Sequence, residues 1–206
     1  MTGQRIEADG KYFEIAKLLG KGKGGYSYLA KSENGLYVLK KIHYEPCGYY
    51  QFESNKLDSE LRSYRALREA GVPVPGLLHF NQEEQYLIKE YIDGDMLSDL
   101  AACGGVGDSH ITQIFGMCRK LYKVGLNIDY FPTNFVLRQG VVYYIDYECS
   151  PYSDEWNFEN WGIYFLANAR GMSDYIKKGG DSTLIENGKP IKRGLEKMVE
   201  KWLRLY

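Results

Sequence analysis

The chain has 206 residues, of which 26 are basic and 27 acidic, so its net charge of −1 gives no reason to expect nucleic acid or an anionic membrane as a partner. Its four cysteines contain no C-x-x-C pair, which argues against a zinc finger or a disulfide scaffold and suits a reducing cytosol. Since it also has neither a membrane-spanning apolar run nor a secretory signal, we expect a cytoplasmic protein of one domain or two small lobes.

The first half of the chain has the pattern of strands interrupted by one helix. Apolar residues at helical spacing predict a helix over 55–70, and the GVPVP segment that follows should end it. A glycine-rich stretch at 20–25 lies between two segments with strand-like alternation. Alternation and β-branched content predict strands over residues 11–20, 36–42, 77–80 and 85–92.

From Met96 onwards the pattern is mainly helical. One hairpin interrupts it, because FVLR and VVYYID are strand-like and flank Gln139-Gly140. Strands with one helix, followed by helices, predict a two-lobed α+β arrangement with an N-lobe of about 1–92, a C-lobe of about 96–206 and a hinge between them. Helices are predicted over residues 96–102, 109–124, 156–170 and 189–206.

The glycine-rich stretch contains G-x-G-x-x-G at Gly20, Gly22 and Gly25. A dinucleotide-binding fingerprint would need a helix directly after the glycines, but here the strand pattern resumes. This favours a flap between two strands, where glycines allow backbone N–H groups to approach phosphates. A plain glycine-rich hairpin turn is the alternative.

Two charged residues follow the glycines at positions that suit phosphate binding. Lys40 lies in a short strand, from which its ammonium group could reach nucleotide phosphates. Glu60 lies in the predicted helix and could pair with Lys40 and fix its rotamer. The alternative is that both are solvated surface charges, as most Lys and Glu residues are.

Asp129, Asn134 and Asp146 form the second group of candidate residues. Asp129 and Asn134 lie in a loop between a helix and the hairpin, where an Asp could orient a hydroxyl group and accept its proton. The carboxylate of Asp146 is expected at the end of the VVYYID strand, and it could bind Mg²⁺ together with Asn134. The alternative for each residue is an Asx turn or a helix cap.

Taken in order, these motifs resemble the protein-kinase-like superfamily over about residues 15–165. The resemblance is closest to compact atypical branches: RIO-type and tRNA-modification-complex kinases, aminoglycoside and choline kinase-like phosphotransferases, and minimal bacterial-type serine/threonine kinases. In them a helix of the type E…L…AG-PVP leads into the next strand. Here this is ELRSYRALREAGVPVP, which favours Glu60 over Glu53 as the partner of Lys40.

The resemblance implies a fold and a role for each residue. It implies a small antiparallel sheet with one helix in the N-lobe and a trimmed, mainly helical C-lobe. ATP and Mg²⁺ are the expected cofactors, and a protein or small-molecule hydroxyl is the acceptor. The roles implied are phosphate covering for Gly20, Gly22 and Gly25, phosphate contact for Lys40 held by Glu60, adenine recognition for Glu90 and Ile92, base catalysis for Asp129, and magnesium binding for Asn134 and Asp146.

The chain also departs from the family pattern in its second half. Asn127 stands where the family usually has His, and Asp146-Tyr147-Glu148 replaces D-F-G. Only fourteen residues separate Asp146 from Trp161, too few for a long activation loop. We therefore expect an atypical serine/threonine protein kinase whose acceptor site a partner protein could complete. A small-molecule kinase and a nucleotide-binding pseudokinase scaffold remain the alternatives.

Overall fold

The structure, a computed structural model, describes residues 1–45, 55–180 and 189–206, so Cys47 and Glu53 lie outside the described part. The chain divides into two units by its contacts. The first comprises Met1–Arg62 and Pro75–Tyr91, and the second comprises Ser63–Val74 and Ile92–Tyr206.

A six-stranded antiparallel sheet forms most of the first unit, in the order β1-β2-β3-β4-β6-β5. One face of the sheet buries Phe13, Ile15, Ala30, Leu39 and Ile88 in a common apolar cluster. The strands are β1 (Arg5–Ala8), β2 (Lys11–Lys21), β3 (Gly25–Ser32), β4 (Gly35–Ile42), β5 (Leu77–Asn81) and β6 (Tyr86–Glu90).

The helix α1 spans Lys56–Glu69, within one residue of its predicted bounds at each end. Asn55 caps its first turn, because its side-chain oxygen accepts hydrogen bonds from the backbone N–H groups of Leu57 (3.0 Å) and Asp58 (3.4 Å). Gly71 ends the helix with a φ of 73°, a conformation that glycine adopts without strain. The division between the two units falls inside this helix.

The second unit combines helices with two small sheets. Its strands are β7 (Asp95–Met96), β8 (Leu126–Ile128), β9 (Phe135–Arg138), β10 (Val141–Tyr144) and β11 (Cys149–Pro151), paired as β10-β9-β7 and β11-β8. Its helices are α2 (Leu97–Ala102), α3 (Asp108–Tyr122), α4 (Ile163–Ala167), α5 (Ala169–Lys177) and α6 (Glu196–Leu203). Across the three described ranges, no helix has the length and apolar character needed to cross a membrane.

The predicted hairpin is present, but its second strand is shorter than expected. Gln139 and Gly140 have φ values of 50° and 79°, as a two-residue hairpin turn requires. The strand β10 ends at Tyr144, so Asp146 lies two residues beyond the strand end and the prediction that it closes the strand was wrong. The reason is that the partner strand β9 begins only at Phe135, opposite Tyr144, so the Ile145 N–H makes one last bond across the pair, to the Asn134 carbonyl at 2.8 Å, and the pairing ends there.

Two predicted helices are also shorter than the sequence indicated. The segment 156–170 contains a π-helical turn (Phe158–Gly162) and α4, and it is interrupted at Asn168. The Asn168 side chain accepts a hydrogen bond from the Gly171 N–H and so begins α5, which was not predicted. In the segment 189–206 the helix begins only at Glu196, because Gly194 has a φ of 85° that a helix cannot contain.

Candidate active site

Lys40 and Glu60 form a buried ion pair in the first unit. Lys40 extends from β4 and Glu60 from α1, and Lys40 Nζ lies 2.6 Å from Glu60 Oε1. Each side chain is only 10% exposed. The predicted pair is therefore present, and the alternative of two solvated surface charges is wrong. Burial makes the pairing obligatory, since a buried charge without a partner is costly.

The glycine-rich stretch is a turn between two antiparallel strands, as the flap interpretation expected. The strand β2 ends at Lys21 and β3 begins at Gly25, so no helix follows the glycines and the dinucleotide fingerprint is excluded. A Cβ atom on Gly25 would lie 2.6 Å from the Lys41 carbonyl oxygen, so close packing explains this glycine. Around Gly20 and Gly22, no described atom lies within 4 Å of the position of a Cβ atom.

The two residues expected to read adenine differ in their surroundings. Glu90 ends β6, and its backbone N–H donates to the Gly76 carbonyl at 2.8 Å. Its side-chain Oε2 accepts a hydrogen bond from the Gly76 N–H at 3.3 Å. A ligand contact at Glu90 would therefore use the carbonyl oxygen. Ile92 is a buried residue of the second unit.

A short loop in the second unit joins Asp129 to Asn134. Asp129 Oδ1 accepts a hydrogen bond from the Phe131 N–H at 3.0 Å, so an Asx turn is present. The Asn134 side-chain nitrogen donates to the Asp129 carbonyl at 3.2 Å and closes the loop. These two bonds fix the orientation of the Asp129 and Asn134 side chains. Both a catalytic loop and a purely structural turn would need such bonds.

The segment that contains Asp146 lies against this loop. The hydrogen bond from Ile145 to the Asn134 carbonyl joins them, and Asp146 Oδ1 accepts from the Tyr147 N–H at 2.9 Å. Burial raises the pKa of Tyr144 well above its usual range, and the carboxylates of Asp146 and Asp129 raise it further. Burial is the larger cause, and the smaller contribution of the carboxylates shows that their negative charge lies near the Tyr144 hydroxyl group.

The donor set suits a hard cation that arrives with phosphates. Within residues 1–45, 55–180 and 189–206, no three His, Cys, Asp or Glu side chains are grouped to hold a metal ion. Magnesium, however, is commonly bound through one or two carboxylates plus substrate phosphates. Asn134 uses its amide nitrogen for the loop, so its Oδ1 is the atom that could join Asp146 at such an ion. The residues therefore fit Mg²⁺.

Asn127 links the strand before Asp129 to the segment after Asp146. It lies in β8, opposite Ser150 in β11, and is 1% exposed. Its side-chain nitrogen donates to the Ser153 carbonyl at 3.1 Å, whereas its Oδ1 has no hydrogen-bond partner among the described residues. Asn127 therefore acts as a brace at the position where the family usually has His.

Gly162 packs against the loop that joins Asp129 to Asn134, a contact that was not predicted from the sequence. A Cβ atom at this position would lie 2.3 Å from the Cβ of Tyr130, the buried residue directly after Asp129. The π-helical turn can therefore approach the loop only because residue 162 is glycine. The available signal was a glycine inside an apolar helical run, which commonly has a packing reason.

One cavity of about 290 Å³ lies between α2 and α5, but it holds none of the predicted site residues. It is lined by Asp99, Ala102, Cys103, Ser173, Ile176 and Lys177. The candidate site therefore does not coincide with this cavity.

Comparison with known proteins gives one curated relative and one solved structure of interest. The sequence is 26% identical over 137 residues to the KEOPS complex subunit Bud32 of Pyrococcus abyssi (strain GE5 / Orsay), a match that covers 58% of this chain and 60% of the relative. The crystal structure of the BubR1 kinase domain matches with a TM-score of 0.53 and 16% identity, over 75% of this chain and 53% of that one. No family model matches the chain.

The observed architecture and the structural match confirm the predicted fold class, an α+β protein-kinase-like fold with a small antiparallel sheet, one helix and a trimmed, mainly helical second part. The chain thus has a protein-kinase-like fold.

Proposed function

We propose that the chain is an ATP- and Mg²⁺-dependent phosphotransferase, and specifically an atypical serine/threonine protein kinase. Residues 1–206 would form a single kinase-like domain with lobes of about 1–92 and 96–206. The observation that carries the proposal is the buried ion pair of Lys40 and Glu60 next to a glycine turn. A buried, oriented ammonium group beside the backbone amides of a glycine turn suits the binding of nucleotide phosphates.

In the first unit, the proposed task is to hold the nucleotide. Glu60 keeps the Lys40 ammonium in one position, so that Lys40 can contact phosphate oxygens as a fixed point charge. The glycines at 20, 22 and 25 would let backbone N–H groups cover the phosphates. The Glu90 carbonyl would recognise adenine, and the backbone of Ile92, which belongs to the second unit, is proposed for the same task.

In the second unit, the proposed task is to orient the acceptor. The acceptor hydroxyl oxygen attacks the γ-phosphorus, the new oxygen–phosphorus bond forms as the bond to the departing ADP breaks, and Asp129 accepts the hydroxyl proton. Asn134 and Asp146 would hold the metal. When bound, Mg²⁺ supplies positive charge that offsets the charge of the phosphate oxygens.

A protein partner would complete the acceptor site. The segment between Asp146 and Trp161 is too short for a long activation loop that could dock a peptide. The curated relative is by name a subunit of a complex, and the matched region spans 60% of its length. Both observations favour an acceptor bound partly by another protein.

The test is a transfer assay with γ-labelled ATP and Mg²⁺. Wild-type chain, Asp129→Asn and Glu155→Gln are each incubated alone, with a generic protein acceptor and with an aminoglycoside. Glu155 is an exposed carboxylate in the same unit and serves as the matched control. We expect label on protein with the wild type and Glu155→Gln, and at least about a hundredfold less with Asp129→Asn.

Other outcomes would identify the alternatives. Label on the aminoglycoside alone would indicate a small-molecule kinase. Bound ATP without transfer by the wild type would indicate a pseudokinase scaffold. Equal transfer by the wild type and Asp129→Asn would remove Asp129 from the proposed role.

A further inference from the structure

The tip of the glycine turn lies directly over the Lys40–Glu60 pair. A Cβ atom built on Gly24 would stand 3.8 Å from Lys40 Nζ and 3.3 Å from Glu60 Oε1. A phosphate bound between Lys40 and the turn needs a hydrogen bond of roughly 2.8 Å on each side in addition to its own width. The turn in this position therefore narrows the space between residue 24 and the ammonium group that a phosphate would need.

Three successive carbonyl groups of the turn are held by two residues outside it. The Lys23 carbonyl accepts a hydrogen bond from Lys56 Nζ at 3.0 Å. The Gly22 carbonyl lies 3.0 Å from His43 Nε2, and the Gly24 carbonyl accepts from the His43 backbone N–H at 3.4 Å. The position of the turn is therefore fixed by specific bonds.

The contacts of the His43 ring indicate which nitrogen carries its proton. His43 Nδ1 accepts a hydrogen bond from the Glu45 N–H at 3.2 Å. The proton of a neutral ring then resides on Nε2, which donates it to the Gly22 carbonyl. His43 thus holds the turn from both its ring and its backbone.

Lys56 is the stronger of the two restraints. It is the first residue of α1 and only 3% exposed, although lysine is almost never fully buried without partners. Its ammonium group also donates to the His43 carbonyl at 2.5 Å, so one cation links the turn to the segment after β4. Hydrogen bonds from a charged donor are about twice as strong as neutral ones.

We propose that Lys56 and His43 form a latch that holds the glycine turn down on Lys40, so that the turn has to rise before a phosphate can reach Lys40. The inference rests on the proposed function, since it concerns nucleotide entry to the same residues. In this account Lys56 is a positioning residue. It restrains the unliganded turn and weakens nucleotide binding.

The first arm of the test measures the latch without nucleotide. Amide hydrogen exchange is followed in peptides that contain residues 21–25 in the wild type, Lys56→Met and Lys41→Met. Methionine keeps an apolar stem, and Lys41 is the matched control because its ammonium group donates to the Glu84 carbonyl, away from the turn. We expect exchange in Lys56→Met to be about tenfold faster, the factor for one lost charged hydrogen bond, and unchanged in Lys41→Met.

The second arm measures the dissociation constant of Mg²⁺-ADP for the same three proteins by calorimetry. We expect Lys56→Met to bind about tenfold more tightly than the wild type, because nucleotide no longer has to break the charged hydrogen bond. Lys41→Met should match the wild type. Melting temperatures confirm that each variant is folded.

The outcomes separate the latch from the proposed function. Unchanged exchange in Lys56→Met would overturn the latch, and so would binding that is equal to or weaker than that of the wild type. Absence of Mg²⁺-ADP binding in all three proteins would overturn the proposed function. If no protein binds Mg²⁺-ADP, the latch is still tested by comparing amide exchange at residues 21–25 in the wild type and Lys56→Met.

Discussion

Lys40 Nζ and Glu60 Oε1 lie 2.6 Å apart, although one residue belongs to a strand and the other to the helix that follows it. The pair is nine-tenths buried on both sides. A protein that needed only stability would gain as much from apolar residues at these positions, because burying two charges costs about as much as their attraction returns. The pair is therefore better explained by a task that needs a fixed positive charge.

The energetic coupling of Lys40 and Glu60 can be measured directly. Lys40→Met should lower the free energy of unfolding by about 3–5 kcal/mol, because it leaves the Glu60 carboxylate buried beside an apolar side chain. Adding Glu60→Gln should recover part of this loss. Urea unfolding of both single variants and the double variant gives the coupling energy. Additive effects, within about 0.5 kcal/mol, would show that the pair is not coupled.

Gly22 and Gly25 of the glycine-rich motif should have different roles: Gly25 is needed for packing, and Gly22 for nucleotide binding. Gly25→Ala should cost about 1–3 kcal/mol of stability, because the new methyl group meets the Lys41 carbonyl. Gly22→Ala should change stability by less than about 0.5 kcal/mol, since described atoms leave its surroundings open. It should still weaken nucleotide binding. Equal unfolding midpoints in urea for the two variants would contradict this assignment.

Asn127 should contribute to stability through the bond from its side chain to the Ser153 carbonyl. Asn127→Ala should cost about 1 kcal/mol, because the Ser153 carbonyl loses its shorter hydrogen bond and keeps only the one from the Trp156 N–H at 3.3 Å. Asn127→Asp should cost more, because a second acceptor then faces the carbonyl. Ser153→Ala is the control, since it keeps the backbone oxygen. If Asn127→Ala unfolds at the same urea concentration as the wild type, the brace is absent.

Gly162 should affect turnover as well as stability. Gly162→Ala forces a methyl group against Tyr130, so it should cost about 1–3 kcal/mol and displace Asp129. Transfer activity should then fall by more than ADP affinity. Gly116→Ala is the control, because this glycine of α3 has open space and should gain about 0.5–1 kcal/mol as alanine. Unchanged transfer by a folded Gly162→Ala would show that the contact does not position the loop.

The sequence predicted those elements whose bounds are set by residues close together in the chain. The apolar spacing of α1 and the Gln139-Gly140 turn are set by neighbouring residues, so both were predicted closely. The interruption at Asn168 was missed because a capping asparagine inside an apolar run has no distinct local signal. The end of β10 was misplaced because its partner strand determines it, and β9 begins only at Phe135, opposite Tyr144.

The candidate site shows the same distinction. Lys40 and Glu60 could be paired from the sequence because the order of motifs resembles a known family. Lys56 could not be assigned, since a lysine in the first turn of a helix is usually solvated. One of its partners is the Lys23 carbonyl, 33 positions away. The sequence does not show which backbone carbonyl a lysine will contact. Gly162 was missed for the same reason, because only the fold brings it to Tyr130.

The proposed function requires that Lys40 and Glu60 of the first unit act on the same nucleotide as Asp129, Asn134 and Asp146 of the second. Calorimetric titration of ATP, with and without Mg²⁺, into the wild type, Lys40→Met, Asp146→Asn and the Glu155→Gln control tests it directly. We predict that Mg²⁺ tightens binding to the wild type and the control, that Lys40→Met weakens binding in both conditions, and that Asp146→Asn abolishes the Mg²⁺ dependence. Absence of ATP binding to the wild type, or a full Mg²⁺ effect in Asp146→Asn, would contradict the account.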